Sequence, residues 1–124
     1  MADHIFELRA PTQCAFWKNP EQLRGNGVAL LERVEVFVDE SHFMRRLHKC
    51  RECGQLYFYE FTEEIDHAHG EDPQYRKYIP VENAEQIETL RASSASELLR
   101  YFPRLQSDWS KDVERPVIRW VTSG

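Results

Sequence analysis

The stretch His42-Phe-Met-Arg-Arg-Leu-His-Lys-Cys50-Arg-Glu-Cys53-Gly54-Gln-Leu-Tyr-Phe-Tyr-Glu-Phe-Thr62 decides how the rest of the chain is read. His42 to Lys49 and Gln55 to Thr62 are two extended runs, the second dominated by Tyr and Phe, which suit a pleated surface. The short polar segment between them, ending in Gly54, turns the chain back. Working outward, residues from Leu30 follow a period of two, with Val34, Val36 and Val38 alternating with Glu35, Phe37 and Asp39, the pattern of a half-buried strand. Asp39-Glu40-Ser41 breaks that run. On the other side, Glu63 to Gln74 is a polar loop, and Tyr75 to Ile79 is a fourth strand ended by Pro80. Residues 30–79 therefore read as an antiparallel β-meander.

The remaining segments fix the class. Residues 1–27 are irregular apart from a short helix over Asn19-Pro20-Glu21-Gln22-Leu23-Arg24-Gly25, where Asn caps, Pro occupies the first turn and Gly terminates. Asn83 and Gln86 form a capping-box pattern ahead of Ile87 and Leu90, and Ser94 or Ser96 starts a second helix bearing Leu98, Leu99 and Phe102. Ser93 to Ser96 is thus a capping segment. Arg104 to Arg115 is polar apart from Leu105, Trp109 and Val113, with room for one short helix. Residues 116–121 are a last strand. Strands, then helices over 83–102, then a strand make an α+β domain spanning 1–124. Pairing Cys50 with Cys53 and Val38 with Ser41 puts Val34, Val36, Val38, Phe43, Leu47, Leu56 and Phe58 on one face, for Ile87, Leu90, Leu98 and Leu99 to cover. The other face carries Arg33, Glu35, Phe37, His42, Met44, Arg46, His48, Tyr57, Tyr59 and Phe61. It is either a partner surface or a layer packed under the termini.

Three cysteines, Cys14, Cys50 and Cys53, are an odd number in 124 residues and make a poor disulfide framework. Cys50-Arg51-Glu52-Cys53-Gly54 resembles the CxxCG knuckle of zinc-ribbon-type domains, over about five residues and without a second CxxC. Two thiolates at that spacing can share a tetrahedral Zn2+. Thiol redox chemistry competes, but the motif lies between strands and lacks the helix N-terminus that lowers a thiol pKa in redox CxxC motifs; inert thiols are the plainest alternative. His48 lies two residues before Cys50 on the same face, and the start of the Leu30 strand lies at the knuckle end. Cys14, His48, Cys50 and Cys53 are therefore the candidate set for a closed structural Zn2+ site. A buried apolar thiol at Cys14 and an ordinary sheet histidine at His48 are the simpler alternatives.

Charge is distributed unevenly. The net charge of -5 arises from 21 acidic and 16 basic residues, a balance that disfavours tracking nucleic-acid backbones. Between Glu60 and Asp72 stand Glu60, Glu63, Glu64, Asp66, Glu71 and Asp72 with no Lys or Arg, whereas Arg100, Arg104, Lys111, Arg115 and Arg119 occupy the C-terminal third. The acidic loop is either simply solvated or steers a basic protein partner. With it, Tyr57, Tyr59 and Phe61 complete the candidate binding surface, and small acidic domains resemble immunity and antitoxin proteins in composition alone. Self-association through the acidic and basic regions is a further option. His42, His67 and His69, with Asp66, form a second candidate, a metal-dependent hydrolase site, set at the far end of the hairpin about 26 Å from the knuckle at about 3.3 Å per residue. No nucleophile elbow, P-loop or dinucleotide fingerprint occurs. No run approaches the roughly 20 apolar residues of a membrane span, and Met1 to Glu7 lacks signal-peptide features, so a cytoplasmic protein is expected. The reading as a whole is a small, non-enzymatic, zinc-stabilised protein-binding module.

Overall fold

In chain order the elements are β1 (Phe6–Glu7), α1 (Ala15–Lys18), two 3-10 helices (Pro20–Leu23 and Gly25–Leu30), β2 (Leu31–Glu40), β3 (Phe43–Cys50), β4 (Leu56–Glu63), β5 (Gln74–Val81), α2 (Ala84–Arg91), α3 (Ala95–Leu98), β6 (Tyr101–Phe102), β7 (Arg104–Trp109) and β8 (Val117–Val121). They are seen in a computed structural model that describes residues 5–124; residues 1–4 of the expected irregular segment lie outside it. Six strands form one antiparallel sheet in the order β2-β3-β4-β5-β7-β8, and β1 pairs with β6 in a parallel two-stranded piece. The class is α+β, with the expected meander at its heart. No helix among the described residues is long and apolar enough to cross a membrane.

The central hairpin pairs Lys49 with Leu56 and Phe43 with Thr62. The turn is thus two residues wider than a Cys50–Cys53 pairing would make it. A shift of two preserves which face each side chain occupies, so the expected faces of β3 and β4 are correct. Leu47, Phe58, Ile79 and Val81 meet Leu90, Leu98 and Ile87 of the helices, with Tyr101 alongside. Phe58 is completely buried, and burial of a side chain that size is worth about 1.5–3 kcal/mol. Asn83 Oδ1 accepts the Gln86 amide, while Gln86 reaches back to the Glu82 amide at 2.6 Å. Ser94 and Glu97 form a complete capping box. α3 stops at Leu98, and Tyr101–Phe102 is strand, because β1 is there to pair with it.

β2 departs from expectation. Register slips occur between Arg33 and Glu35 and between Val36 and Val38, and each slip turns the following side chains to the other face. Val34 and Val36 are consequently exposed, whereas Phe37 turns to the helix side and stacks on Phe58 at 5.8 Å. β2 is an edge strand, where bulges discourage further pairing.

β7 is the strand that polarity conceals. On one face Arg104 donates to Gln106, Gln106 donates to Asp108 at 3.0 Å, and Arg119 of β8 reaches Asp108 at 3.1 Å. Arg104 also caps the chain end of α3 through the carbonyls of Leu99 (2.8 Å) and Tyr101 (3.1 Å). On the other face Leu105 is buried. A row of mutually satisfied polar groups replaces the apolar alternation that signals a strand. Pro80, expected to end β5, lies inside it; β7 reaches only as far as Tyr78, so Pro80 needs no donor on that side.

The helix face also holds a buried ionic trio. Glu60 is fully buried, with Arg45 Nε and Nη2 at 3.0 and 2.8 Å and Lys77 Nζ at 3.2 Å. Arg45 Nη1 extends to the carbonyls of Leu90 and Arg91 at the end of α2. The carboxylate offsets the charge of two cations that would otherwise be stranded.

The opposite face packs Tyr57, Tyr59, Phe61, Tyr78, Leu105 and Ile118 against Cys14, Phe16, Leu31 and Cys50. The cover is the chain from Pro11 to Leu30, held by Trp120 Nε1 on the Phe16 carbonyl (2.9 Å) and Gln22 Nε2 on the Ala15 carbonyl (3.1 Å). The turn of helix expected from Asn19 is 3-10, and the Asn19 side chain caps nothing. Gly27 is required by proximity, since a Cβ there would lie 1.7 Å from the Gln22 carbonyl oxygen.

Candidate metal centre

The N-terminal segment passes from one face of the sheet to the other. Leu8 packs with the helix-side core, and Cys14 and Phe16 with the opposite core. Between them the chain rounds the end of the sheet where β3 turns into β4. Cys14 stands at that crossing. Its amide bonds the Pro11 carbonyl at 2.9 Å, and its own carbonyl accepts from Trp17 within α1. Opposite it, Cys50 ends β3, with its amide on the Gln55 carbonyl (2.8 Å) and its carbonyl accepting from Gly54 (2.9 Å). Gly54 has φ +82°, a left-handed conformation that glycine adopts without strain. The chain turns back tightly enough to bring Cys53 alongside.

The three Sγ atoms lie within 4.8 Å of one another. All three thiols are free, Cys14 and Cys50 buried and Cys53 exposed. Tetrahedral coordination at about 2.3 Å separates sulfurs by about 3.8 Å, so small side-chain adjustments suffice to seat an ion. The polar surroundings differ for each thiol. Burial pushes the Cys14 thiol up to about 12, against the Tyr57 hydroxyl that donates to its sulfur at 3.0 Å. At Cys50 burial acts in the same direction, but the backbone N–H groups of Cys53 and Glu52, with the neighbouring thiols, outweigh it and hold the thiol below its ordinary value. Amides aimed at a knuckle sulfur stabilise the thiolate that a metal requires. Burial and the hydrogen bond to Cys14 together push the Tyr57 hydroxyl upward, keeping it a donor. Beside the thiols opens a cleft of about 300 Å3, lined by Arg9, Thr12, Gln13, Cys14, Cys53 and Gln55 among others.

His48 stands outside this cluster. Its ring lies edge-on to Tyr59 at 4.8 Å and Tyr78 at 6.4 Å, and Tyr59 belongs to a row farther from the turn than His48's own pairing with Tyr57. Neither ring nitrogen has a hydrogen-bond partner among the described residues. Burial, with Arg46 and Arg33 nearby, lowers its pKa to about 4. The imidazole is a neutral packing group.

The expected aromatic partner surface does not exist. Tyr57, Tyr59 and Phe61 are 1%, 7% and 6% exposed, occupied by the N-terminal cover. The acidic loop is real but partly self-neutralised. Glu63 accepts from Gln74 (2.9 Å) and contacts His42 Nδ1 (2.8 Å), hydrogen bonds that lower its pKa. Asp66 pairs with Lys111 at 2.9 Å, its Oδ1 accepts the amides of Ala68 and His69, and Asp72 accepts the Asp66 amide. One of the C-terminal cations thus answers the acidic loop within the chain. Glu64 and Glu71 are exposed. Nor do the histidines converge. Cys14, Cys50 and Cys53 are the only metal-sized group of His, Cys, Asp or Glu found among the described residues. His42 sits with Glu63 and His69 beside Asp66, so the hydrolase site is not assembled.

Tyr57's contact with Cys14 was not anticipated. Its signal is present in the sequence, as a tyrosine on the Cys50 face one row from the turn. Searches against known protein families, characterised proteins and solved structures find no match to this chain.

Proposed function

We propose that Cys14, Cys50 and Cys53 hold a zinc ion in a structural role, and that the protein is a small non-enzymatic binding module. The single observation supporting this is the convergence of three free thiols, from a crossing segment and a turn, within 4.8 Å. Zinc there would fasten the crossing to the turn and contribute folding free energy. The remaining partner surface is the acidic loop, with Glu64 and Glu71 directed to solvent and a basic protein as its expected partner.

Elemental analysis of untagged protein tests the zinc reading. One tightly held zinc per chain is expected, lost in Cys50→Ser and retained in His48→Gln. Zinc retained in Cys50→Ser would overturn the reading. Metal-free protein whose Cys50 and Cys53 cycle between dithiol and disulfide would replace it with thiol redox chemistry. For the loop, binding of a lysine-rich peptide should fall steeply with salt, and Glu64→Lys with Glu71→Lys should remove that dependence. Unchanged binding eliminates the loop.

A further inference from the structure

On the N-terminal face, away from the thiols, a second cleft of about 440 Å3 opens between the chain around Leu23–Val28, β5, β7 and the start of β8. Arg24, Arg76 and Arg115 line it, together with Tyr78, Ser107 and Trp109, and its lining contains no Asp or Glu. This is the reverse of the chain's overall acidic balance. Three arginines line one hollow and only Arg24 has an ion pair among the described residues, with Glu21 at 2.6 Å, so the hollow keeps an excess of positive charge that an anion would answer.

The donors there are only partly satisfied. Arg24 uses Nε on Glu21 at 2.6 Å, but its Nη1 is buried and makes no hydrogen bond. Among the described residues, exposed Arg115 finds no ion-pair or side-chain hydrogen-bond partner, and Tyr78, 5% exposed, finds no side-chain hydrogen-bond partner either. Arg76 stacks over the Phe61 ring at 4.8 Å and donates to Gln74 Oε1 at 3.4 Å. A buried donor without a partner is destabilising, and a ligand oxygen would relieve it. Guanidinium forks match the oxygens of a phosphoryl group better than a single point charge does. At the rim, Trp109 is 41% exposed and its indole is pinned by Nε1 donating to the Val113 carbonyl at 2.8 Å. A fixed, open indole offers a flat face for a planar ring. The volume lies within the range of small-molecule sites.

We propose that this cleft binds a phosphate-bearing small molecule with a planar ring, of the size of a nucleoside monophosphate. Arg24, Arg76 and Arg115 take the phosphoryl oxygens, and Trp109 packs on the ring. The site is independent of the zinc centre.

Calorimetric titration with AMP, adenosine and inorganic phosphate at fixed ionic strength tests it. AMP should bind once per chain at about millimolar or better, tighter than inorganic phosphate and tighter than adenosine. Arg115→Ala, an exposed change, should weaken AMP and phosphate by about tenfold. Arg76→Lys should weaken both less than Arg76→Gln does. Trp109→Leu should weaken AMP while leaving phosphate unchanged. Absence of AMP binding overturns the proposal, as does adenosine binding as well as AMP, or affinity indifferent to Arg115→Ala in protein whose circular dichroism is unaltered.

Discussion

The two faces of the sheet are built on different physical grounds. The helix face is closed by capped helices, by aliphatic packing around Phe58 and Leu90, and by the ionic trio of Arg45, Glu60 and Lys77. Its cover is made of regular elements that satisfy their own backbones. The opposite face is closed by twenty residues of short α- and 3-10 helices and bends, laid over tyrosines. Such short pieces have little intrinsic stability. A face with a self-supporting lid needs no further device; a face under an irregular strap gains from a cross-link, and the thiols lie where that strap crosses the sheet.

The strongest way to break this contrast is to attack the helix face where its charges are buried. Glu60→Ala leaves Arg45 and Lys77 without their counter-ion and should cost about 3–5 kcal/mol, measured by urea unfolding. The folded fraction should still bind zinc stoichiometrically, because no group of the trio approaches the thiols. Zinc lost in parallel with Glu60 would show that the faces are not separate.

Chelation of the proposed zinc attacks the other face. With zinc about 100-fold above its dissociation constant, removal should cost about 3 kcal/mol. Hydrogen exchange should then rise for the Pro11–Leu30 strap before it rises for α2. Uniform exchange would mean that the metal supports the whole fold and not the strap. Gly27→Ala is a metal-free version of the same attack. It forces the Gln22 carbonyl away and should cost about 2 kcal/mol, lowering zinc affinity as the strap loosens. Stability and zinc affinity equal to those of the unsubstituted protein would remove the strap from the account of the site.

The same contrast governs what can be read from sequence. The regular face is legible because period, caps and aliphatic residues agree: Leu47, Phe58, Ile87, Leu90 and Leu98 all meet as expected. Placing the start of the Leu30 strand at the knuckle end also makes Cys14 a candidate neighbour of Cys50 and Cys53, and the three sulfurs do lie together. What escapes is whatever depends on contacts between distant segments. β7 is hidden because Arg104, Gln106 and Asp108 satisfy one another sideways. The exposure of Val34 and Val36 follows from two register slips that no residue type announces. Tyr57, Tyr59 and Phe61 look equally suited to a partner or to a core until the strap is laid on them. His48 has the spacing of a ligand, and only packing shows its ring leaning toward Tyr59.

The smallest effect concerns the loop outside both faces. Lys111, ahead of the other causes, holds the Asp66 carboxyl below its ordinary 3.8, and Asp66 in turn raises Lys111 above 10.5. A carboxylate depressed in the fold contributes above its unfolded pKa and is lost as pH falls through the lower folded value. The raised lysine contributes below its unfolded pKa and is lost as pH climbs through the higher folded one. The pair therefore persists across the whole neutral range and fails only at the extremes. The Ala68 and His69 amides, which Asp66 Oδ1 accepts, report on it by NMR. Their resonances should titrate together at a midpoint below 3.8, and Lys111→Ala should raise that midpoint toward 3.8 without altering zinc content or the exchange of either face. A midpoint insensitive to Lys111 would leave the loop shaped by its own turns alone. Its acids would then be as free for a basic partner as the uneven charge of the sequence implies.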